Sequence, residues 1–468
     1  MKPKVWKCFF KISLVFSALG PFLPVSYINA QTGERPVIEW EKTFGGSNID
    51  AIAFSVQQTT DGGYIMVGAL LSSSTGDYDV YLIKIDEKGD EQWEKTFDSS
   101  IHDIAYSVQQ TTDGGYIMVG QTAYLDGSFS NVYLIKTDEK GDEQWEKTFS
   151  RTGQDVAFSV QQTTDGGYII GGGTNYYSGG SSDVYLIKTY ENGDEQWEKT
   201  FGGSGIDYRG YNSAQSVQQT TDGGYILVGK TTSFGVGSYD VYLIKTDKFG
   251  NKLWDKTFGG EGLDMGYSVQ QTADGGYIIG GCINTDTYYD DAYLIKTDEN
   301  GDEQWEKTFG REYDDCIYSV QQTTDGGYIM AGETNSSLFG AAKDLDAYLI
   351  KTDENGNEQW EKVFAGSGNG EDTINSVQQT TDGGYIGAGW TRLDDNKLNI
   401  WLIKIKVEPV EKGDINEDEK IDISDVILCL RQAVGLNEKD FSSADMNFDG
   451  KIDIADVILV LRKAIGLE

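Results

Sequence analysis

Short runs rich in Val, Ile, Tyr, Phe and Trp, separated by Gly, Asp and Asn, recur along this chain from Trp40 to Lys404. Four wordings repeat. W-[ED]-K-[TV]-F starts at Trp40, Trp93, Trp145, Trp197, Trp254, Trp305 and Trp360. SVQQT starts at Ser55, Ser107, Ser159, Ser216, Ser268, Ser319 and Ser376. DGGYI starts at Asp61, Asp113, Asp165, Asp222, Asp274, Asp325 and Asp382. [YW]-L-I-K starts at Tyr81, Tyr133, Tyr185, Tyr242, Tyr293, Tyr348 and Trp401. Each occurs seven times, at spacings of 51 to 57 residues, and each reads as a strand bounded by turn residues. Asp61-Gly62-Gly63 predicts a tight hairpin because its residues tolerate positive φ.

Turn lengths set the phase of the repeat. YLIK is joined tightly to the following WEKTF, whereas the Gly-rich segment after WEKTF suits a jump to the next unit. One unit is then SVQQT, GGYI, YLIK, WEKTF, four antiparallel strands from inside to outside. On that phasing the domain opens with a lone fourth strand, Trp40–Phe44, and ends with three strands, Ser376 to Lys404. Pairing the two closes a ring and removes its exposed edge. An open β-solenoid is the alternative, and the split of one unit between the two ends argues against it. These units resemble the tryptophan–aspartate-repeat and kelch propellers, and their wording is closer to the Asp-Gly-Gly-Tyr repeats of secreted bacterial and archaeal proteins. The resemblance runs from Val37 to Val407 and implies a mainly β fold, a seven-bladed β-propeller over 37–406.

After Lys406 the pattern changes. A linker, 407–413, leads to two related segments, DINEDEKIDISD (Asp414–Asp425) and DMNFDGKIDIAD (Asp445–Asp456). Loop positions 1, 3, 5, 9 and 12 carry oxygen ligands: Asp414, Asn416, Asp418, Asp422 and Asp425, then Asp445, Asn447, Asp449, Asp453 and Asp456. Lys420 and Lys451 offer backbone carbonyls at position 7. This is an EF-hand-type calcium loop with Asp at position 12, and hard oxygens at this spacing suit two calcium ions. Position 6 is Gly450 in the second loop and Glu419 in the first, where the sharp turn predicts a weaker site. Each loop runs into an amphipathic helix, from Val426 and from Val457. Their apolar residues Val426, Leu430 and Val434, then Val457, Leu461 and Ile465, fall at helical spacing, and Gly435 and Gly466 suit C-terminal caps.

Residues 414–468 resemble a dockerin, a small all-α module of the type I kind. The resemblance implies calcium-dependent docking to a cohesin on a scaffold or cell-surface protein. Cellulosome-type members often carry Ser-Thr at loop positions 10 and 11, where this chain has Ile423-Ser424 and Ile454-Ala455. That departure implies a different class of cohesin. Leu430, Arg431, Leu461 and Arg462 match further contact positions of the family.

Composition narrows the function. The chain has 468 residues and a net charge of −37, which repels nucleic acid and anionic membranes. Residues 1–30 read as a secretory signal peptide: Lys2, Lys4, Lys7 and Lys11, an apolar stretch from Ile12 to Val25 broken by Gly20 and Pro21, then a small-residue site at Ala30. That stretch is too short to span a membrane. Of the cysteines, Cys8 belongs to the leader, and the remaining three allow at most one pair; Cys282, Cys316 and Cys429 are expected to be ordinary semi-buried thiols, with a Cys282–Cys316 pair left open.

His102 is the only histidine, which disfavours Ser–His or Cys–His catalysis. Carboxylates recur before the inner strand (Asp50, Asp103, Asp155, Asp207, Asp264, Asp315, Asp372) and before YLIK (Asp79, Asp183, Asp240, Asp291, Asp346, with Asn131 and Asn399). A glycosidase needs one distinct pair, and seven equivalent copies read instead as turn caps. The YLIK lysines read as structural partners of blade carboxylates, and the tryptophans as packing between blades. Binding is expected on the variable loops before YLIK, whose aromatics include Tyr124, Phe129, Tyr176, Tyr177, Phe234, Tyr239, Tyr288, Tyr289 and Phe339, with a polysaccharide or surface protein as ligand. The reading is a secreted, non-catalytic binding propeller. Its alternative is a dockerin-bearing polysaccharide hydrolase or lyase, for which the candidate loop carboxylates are Asp394 with Asp395, or Asp344 with Asp346, each pair within a single blade.

Overall fold

A computed structural model describes residues 28–467 apart from 31–33, 46–49, 72–75, 99–101, 124–128, 152, 175–181, 203–210, 285–288, 311–312, 336–344, 365–370, 393–396, 410–412, 417–419, 435–441, 445 and 447–450. The chain folds as seven antiparallel sheets in a ring, followed by two helices. Blade one is Ala51–Gln58, Tyr64–Leu71, Tyr78–Ile85 and Glu91–Phe97, paired in that order from the axis outward. The remaining blades repeat it. Blade seven takes Asp372–Gln379, Tyr385–Arg392 and Leu398–Pro409 from the end of the ring and its outer strand, Glu34–Phe44, from the start. The ring is therefore closed as the phase of the repeat requires, and the closing ladder reaches back six residues further than Trp40, from Phe44↔Ile400 to Glu34↔Pro409.

Ile28–Ala30, just ahead of the expected cleavage point, pair with Trp360–Lys362 as a fifth strand on blade six. The rest of the expected leader, Cys8 included, lies outside the described residues.

Each blade junction holds an apolar layer. Ile65, Val67, Val80 and Leu82 of blade one, for example, pack with Val108, Tyr116, Met118 and Tyr133 of blade two. The tryptophans seal these layers from outside. Trp93 meets Tyr116 of the next blade at 5.8 Å between ring centroids, and the same Trp–Tyr contact recurs at all seven junctions at 5.8–6.0 Å.

The expected free thiols are corrected at one junction. Cys282, on the second strand of blade five, and Cys316, on the inner strand of blade six, form a disulfide. Adjacent strands of neighbouring blades bring them together although 34 residues separate them. Cys429 is free and buried in the C-terminal module.

Two faces result. One carries the tight TTDGG and DEKGD turns. The other carries the strand ends that lead into the variable loops and into the jumps between blades. Tyr124, Tyr176, Tyr177, Tyr288, Phe339, Asp344, Asp394 and Asp395 lie outside the described residues.

Candidate functional sites: the propeller axis, the calcium loops and the helical face

The repeated SVQQT is a set of inter-blade ties. Gln57 Oε1 accepts the backbone N–H of Gln110 in the next blade. The same bond recurs around the ring, ending with Gln378 and the N–H of Gln58, at 2.5–2.6 Å. A second ring runs from Ser Oγ to the Val N–H of the next blade, at 3.1–3.3 Å. A third joins the following Gln Oε1 to the turn N–H of the preceding blade, at 2.8–2.9 Å. These bonds surround a channel of about 240 Å³ lined by Val56, Gln57 and their counterparts. An unpaired buried backbone N–H is costly, which explains why the wording repeats without change.

The other recurrent polar residues also pair among themselves. Lys84 is 3% exposed and meets the Asp61 carboxylate at 2.9 Å. All seven lysines of this set are buried and paired at 2.8–3.0 Å. Asp61 also accepts the Gly63 N–H and the Thr59 hydroxyl. Gly62 has φ +86°, and a side chain on Gly63 would collide with the Ile85 carbonyl and Lys84 Nζ. Burial pushes the Asp222 and Asp382 carboxyls up. Their Thr, Lys and Gly hydrogen bonds outweigh it and bring both down to about 2. The Tyr81 hydroxyl donates to Glu94, and six blades repeat this Tyr–acid bond. In blade seven, Trp401 Nε1 donates to Glu41 in its place.

The carboxylates before the inner strand sit at the blade junctions. Asp103, Asp155, Asp264, Asp315 and Asp372 are at most 1% exposed. Asp155 accepts the Arg151 N–H and the Thr174 hydroxyl, and Asp264 accepts the Gly260 and Asn284 N–H groups. The assignment of Asp207 to this set is corrected. Asn212 holds the equivalent position in blade four, four residues before the Ser of SVQQT, and accepts the Thr231 hydroxyl. Asp207 itself lies outside the described residues. Asp50, one residue off register, pairs with Lys397 at 3.2 Å. His102 Nδ1 accepts the Tyr78 N–H.

Where the channel opens on the loop face, the blades differ. A bulge precedes the Ser of every inner strand. Its residue is Phe54, Tyr106, Phe158, Gln215, Tyr267, Tyr318 or Asn375 in successive blades. Phe54, Tyr106 and Phe158 form a continuous aromatic arc, with ring centroids 5.0 and 5.2 Å apart. Among the described loop aromatics, Phe129 is exposed, whereas Phe234 packs on Tyr242 and Tyr289 on Tyr313.

In the C-terminal module, α1 (Ile423–Ala433) and α2 (Ile454–Ala464) each start at an Asp cap. Asp422 accepts the Ser424 N–H and Asp453 that of Ala455. The position 12 carboxylates are fully buried and reach back across their loops. Asp425 accepts the N–H groups of Ile415, Asn416 and Asp422, and Asp456 those of Met446 and Asp453. Asp414 is 2% exposed. Asp414 and Asp425 in the first loop and Asp456 in the second are withdrawn from water beside a small apolar core of Ile415, Val426, Cys429, Ala444, Val457 and Val460, and buried charge of this kind suits a hard divalent cation in each loop, because it is costly without a counter-charge. Asp414, Asn416, Lys420, Asp422 and Asp425 in the first loop, and Lys451, Asp453 and Asp456 in the second, are the described residues that could hold one. Asp418, Glu419, Asp445, Asn447, Asp449 and Gly450 lie outside them.

The helix faces differ from the simple apolar spacing. The buried face runs through Val426 and Cys429 in α1 and through Val457 and Val460 in α2. Leu430, Val434, Leu461 and Ile465 are on the outside, where Ile423, Ile427, Ile454 and Ile458 join them, all between 39% and 62% exposed. Ser424, Arg431, Ala455 and Arg462 are exposed as well, so every residue expected to contact a partner is accessible. Ile427 and Ile458 belong to the same stripe and follow from extending the i, i+4 rows from Ile423 and Ile454.

Residues 412–464 match the family described as dockerin type I domain, and residues 24–231 match the family described as outer membrane protein assembly factor BamB. The regulatory protein FlaEY of Caulobacter vibrioides is 26% identical over 171 residues, covering 32% of this chain and 18% of that relative's length. Three solved structures are similar at low identity. A protein of unknown function from Dyadobacter fermentans is 11% identical, covering 80% of this chain and 100% of that one at a TM-score of 0.47. The Pan2 WD40 domain of Neurospora crassa is 10% identical, covering 77% and 91% at 0.46. The β-propeller domain of the Trilobed protease from Pyrococcus furiosus is 10% identical, covering 79% and 98% at 0.42. No helix among the described residues is long and apolar enough to cross a membrane. With its strands closed into a ring of seven sheets and its C-terminal segment matched to that family, the chain is a seven-bladed β-propeller followed by a dockerin type I domain.

Proposed function

We propose that this chain is a secreted, non-catalytic binding propeller, carried to an extracellular complex or cell surface by calcium-dependent docking of its C-terminal domain on a cohesin. The observation that supports it most is the fate of the recurrent polar residues. The lysines and turn aspartates of all seven blades, and the YLIK tyrosines of six, are engaged in ion pairs or hydrogen bonds that hold the blades, and they repeat without singling out two carboxylates for acid–base work.

Two calcium ions are held by Asp414, Asn416, Asp418, Asp422 and Asp425 with the Lys420 carbonyl, and by Asp445, Asn447, Asp449, Asp453 and Asp456 with the Lys451 carbonyl. The ions neutralise the loops and let each helix start at its cap. The outward stripe from Ile423 to Leu430, with Ser424 and Arg431, and its twin from Ile454 to Leu461, with Ala455 and Arg462, is the cohesin-facing surface. The leader ends at Ala30, and the linker covers 407–413.

The test uses the full secreted chain. Capture on an immobilised cohesin panel in calcium, abolished by a chelator, is the expected result. Incubation with a polysaccharide panel is expected to release no reducing ends or unsaturated sugars above a heat-killed control. Release would replace the binding module with the enzyme reading, and calcium-independent capture would remove the docking mechanism.

A further inference from the structure

Six blades carry the tight turn after YLIK and act as controls for one another, and one of them departs. In five blades the turn after YLIK opens with Asp86, Asp138, Asp247, Asp298 or Asp353. Each carboxylate accepts the N–H groups two and four residues on. Blade three has Tyr190 there. The Asp cap is lost, Asn192 Oδ1 takes the Asp194 N–H at 3.2 Å instead, and the phenol stands 55% exposed.

A second departure adjoins it. Gln92, Gln144, Gln304 and Gln359 accept a hydrogen bond from their blade lysine at 3.0–3.3 Å. Gln196, the blade-three counterpart, carries none from Lys188, whose Nζ goes to Asp165 and the Thr189 carbonyl. Tyr190 and Gln196 both line a groove of about 650 Å³ between blades two and three, together with Trp145 and Asn192. That volume is ordinary for a small-ligand site.

We propose that this groove binds a short uncharged saccharide, with Tyr190 as the stacking platform and Gln196 and Asn192 as hydroxyl partners. The proposal rests on the binding-module reading and names its ligand class. An exposed phenol gives the turn nothing that an Asp does not give better, whereas a flat apolar face beside amides suits a sugar ring with equatorial hydroxyls. Asp113, Asp165 and Glu191 complete the rim. Asp113 is paired with Lys136, which also lines the groove, and Asp165 with Lys188; their remaining lone pairs accept hydrogen bonds from hydroxyl groups, and Glu191, in a chain of net charge −37, disfavours uronates and phosphates.

The experiment is affinity electrophoresis and calorimetry of the full chain against soluble β-glucan, xylan and mannan, with polygalacturonate as the acidic arm. Tyr190→Asp restores the turn cap of the other blades, so it folds at least as well as the parent. It should weaken binding of a neutral polymer by about tenfold, the loss of one aromatic contact, with an unchanged or raised Tm. Gln196→Ala should weaken it less. Equal binding by Tyr190→Asp, binding of the acidic polymer alone, or no saccharide binding by the parent chain would each overturn the site. The last outcome leaves the binding-module reading standing with a protein ligand. Cleavage of a bound polymer would overturn that reading, while Tyr190→Asp would still report whether the groove holds the sugar.

Discussion

The propeller and the C-terminal domain are both built by repetition, and they spend it in opposite directions. In the propeller the repeated polar residues turn inward, onto the next blade, as three rings of hydrogen bonds and seven buried lysines. In the C-terminal domain the repeated apolar residues turn outward, as the exposed rows from Ile423 and Ile454. Seven copies can close on themselves and pair their SVQQT and lysine groups within the ring. Two short loop–helix units cannot cover two apolar faces each, so one face forms the small core and the other awaits a partner.

The largest effect that separates the two regions should come from chelation. Removing calcium from the full chain should melt α1 and α2 and leave the propeller's thermal transition in place, because a core as small as that around Val457 depends on the metal for folding energy. Circular dichroism at 222 nm with differential scanning calorimetry reads both. Loss of both transitions together would make the regions one cooperative unit.

A smaller effect is expected from Gln109→Ala, which removes one member of the channel ring and leaves the Gln162 N–H unpaired. The cost is about 1–3 kcal/mol, seen as a lower propeller Tm with the C-terminal domain unmoved. A neutral result would mean water replaces the amide and the ring is not what fixes the wording.

Acid should act on the same region more weakly. Asp222 and Asp382 have folded pKa values near 2, below the ordinary aspartate value of about 3.9. Their stabilisation is therefore complete above that value and disappears as pH falls through 2. More than half of each carboxylate is exposed, so solvent screening keeps the effect small. The propeller Tm should hold from pH 7 to about 4 and decline below it. Lys245→Met should flatten that decline.

The smallest change in stability should come from Ile427→Ser with Ile458→Ser, within about 0.5 kcal/mol because both side chains are exposed. Cohesin capture should nevertheless fall sharply. Unchanged capture would mean the partner reads another surface.

Strand order, blade phase and ring closure were legible in the sequence because turn lengths and the split unit constrain them. The Lys–Asp pairing and the Trp packing followed from the same register. The rings of SVQQT were not, since a strand's wording does not say which residues cross to the next sheet. The Cys282–Cys316 bond was left undecided for that reason, although both positions fall beside one junction. Asp207 was misplaced because the longer jump before blade four shifts the aligned position to Asn212. On the helices, the i, i+4 rows gave apolar periodicity without saying which row faces the core, and only the positions of Cys429 and Val460 decide that.

The closing strand Leu398–Pro409 has a mechanical consequence. It leads directly toward the C-terminal domain and is hydrogen-bonded on both sides, to Tyr385–Arg392 and to Glu34–Phe44. A pull transmitted through a tethered C-terminal domain enters the propeller at Pro409 and, along the strand, loads in shear first the ladder to Glu34–Val37 and then, from Ile405 on, both ladders. The seam that joins the two ends of the ring is thus also where tension arrives. Its twelve residues, longer than any other strand of the propeller, spread that tension over two neighbours before any blade has to yield.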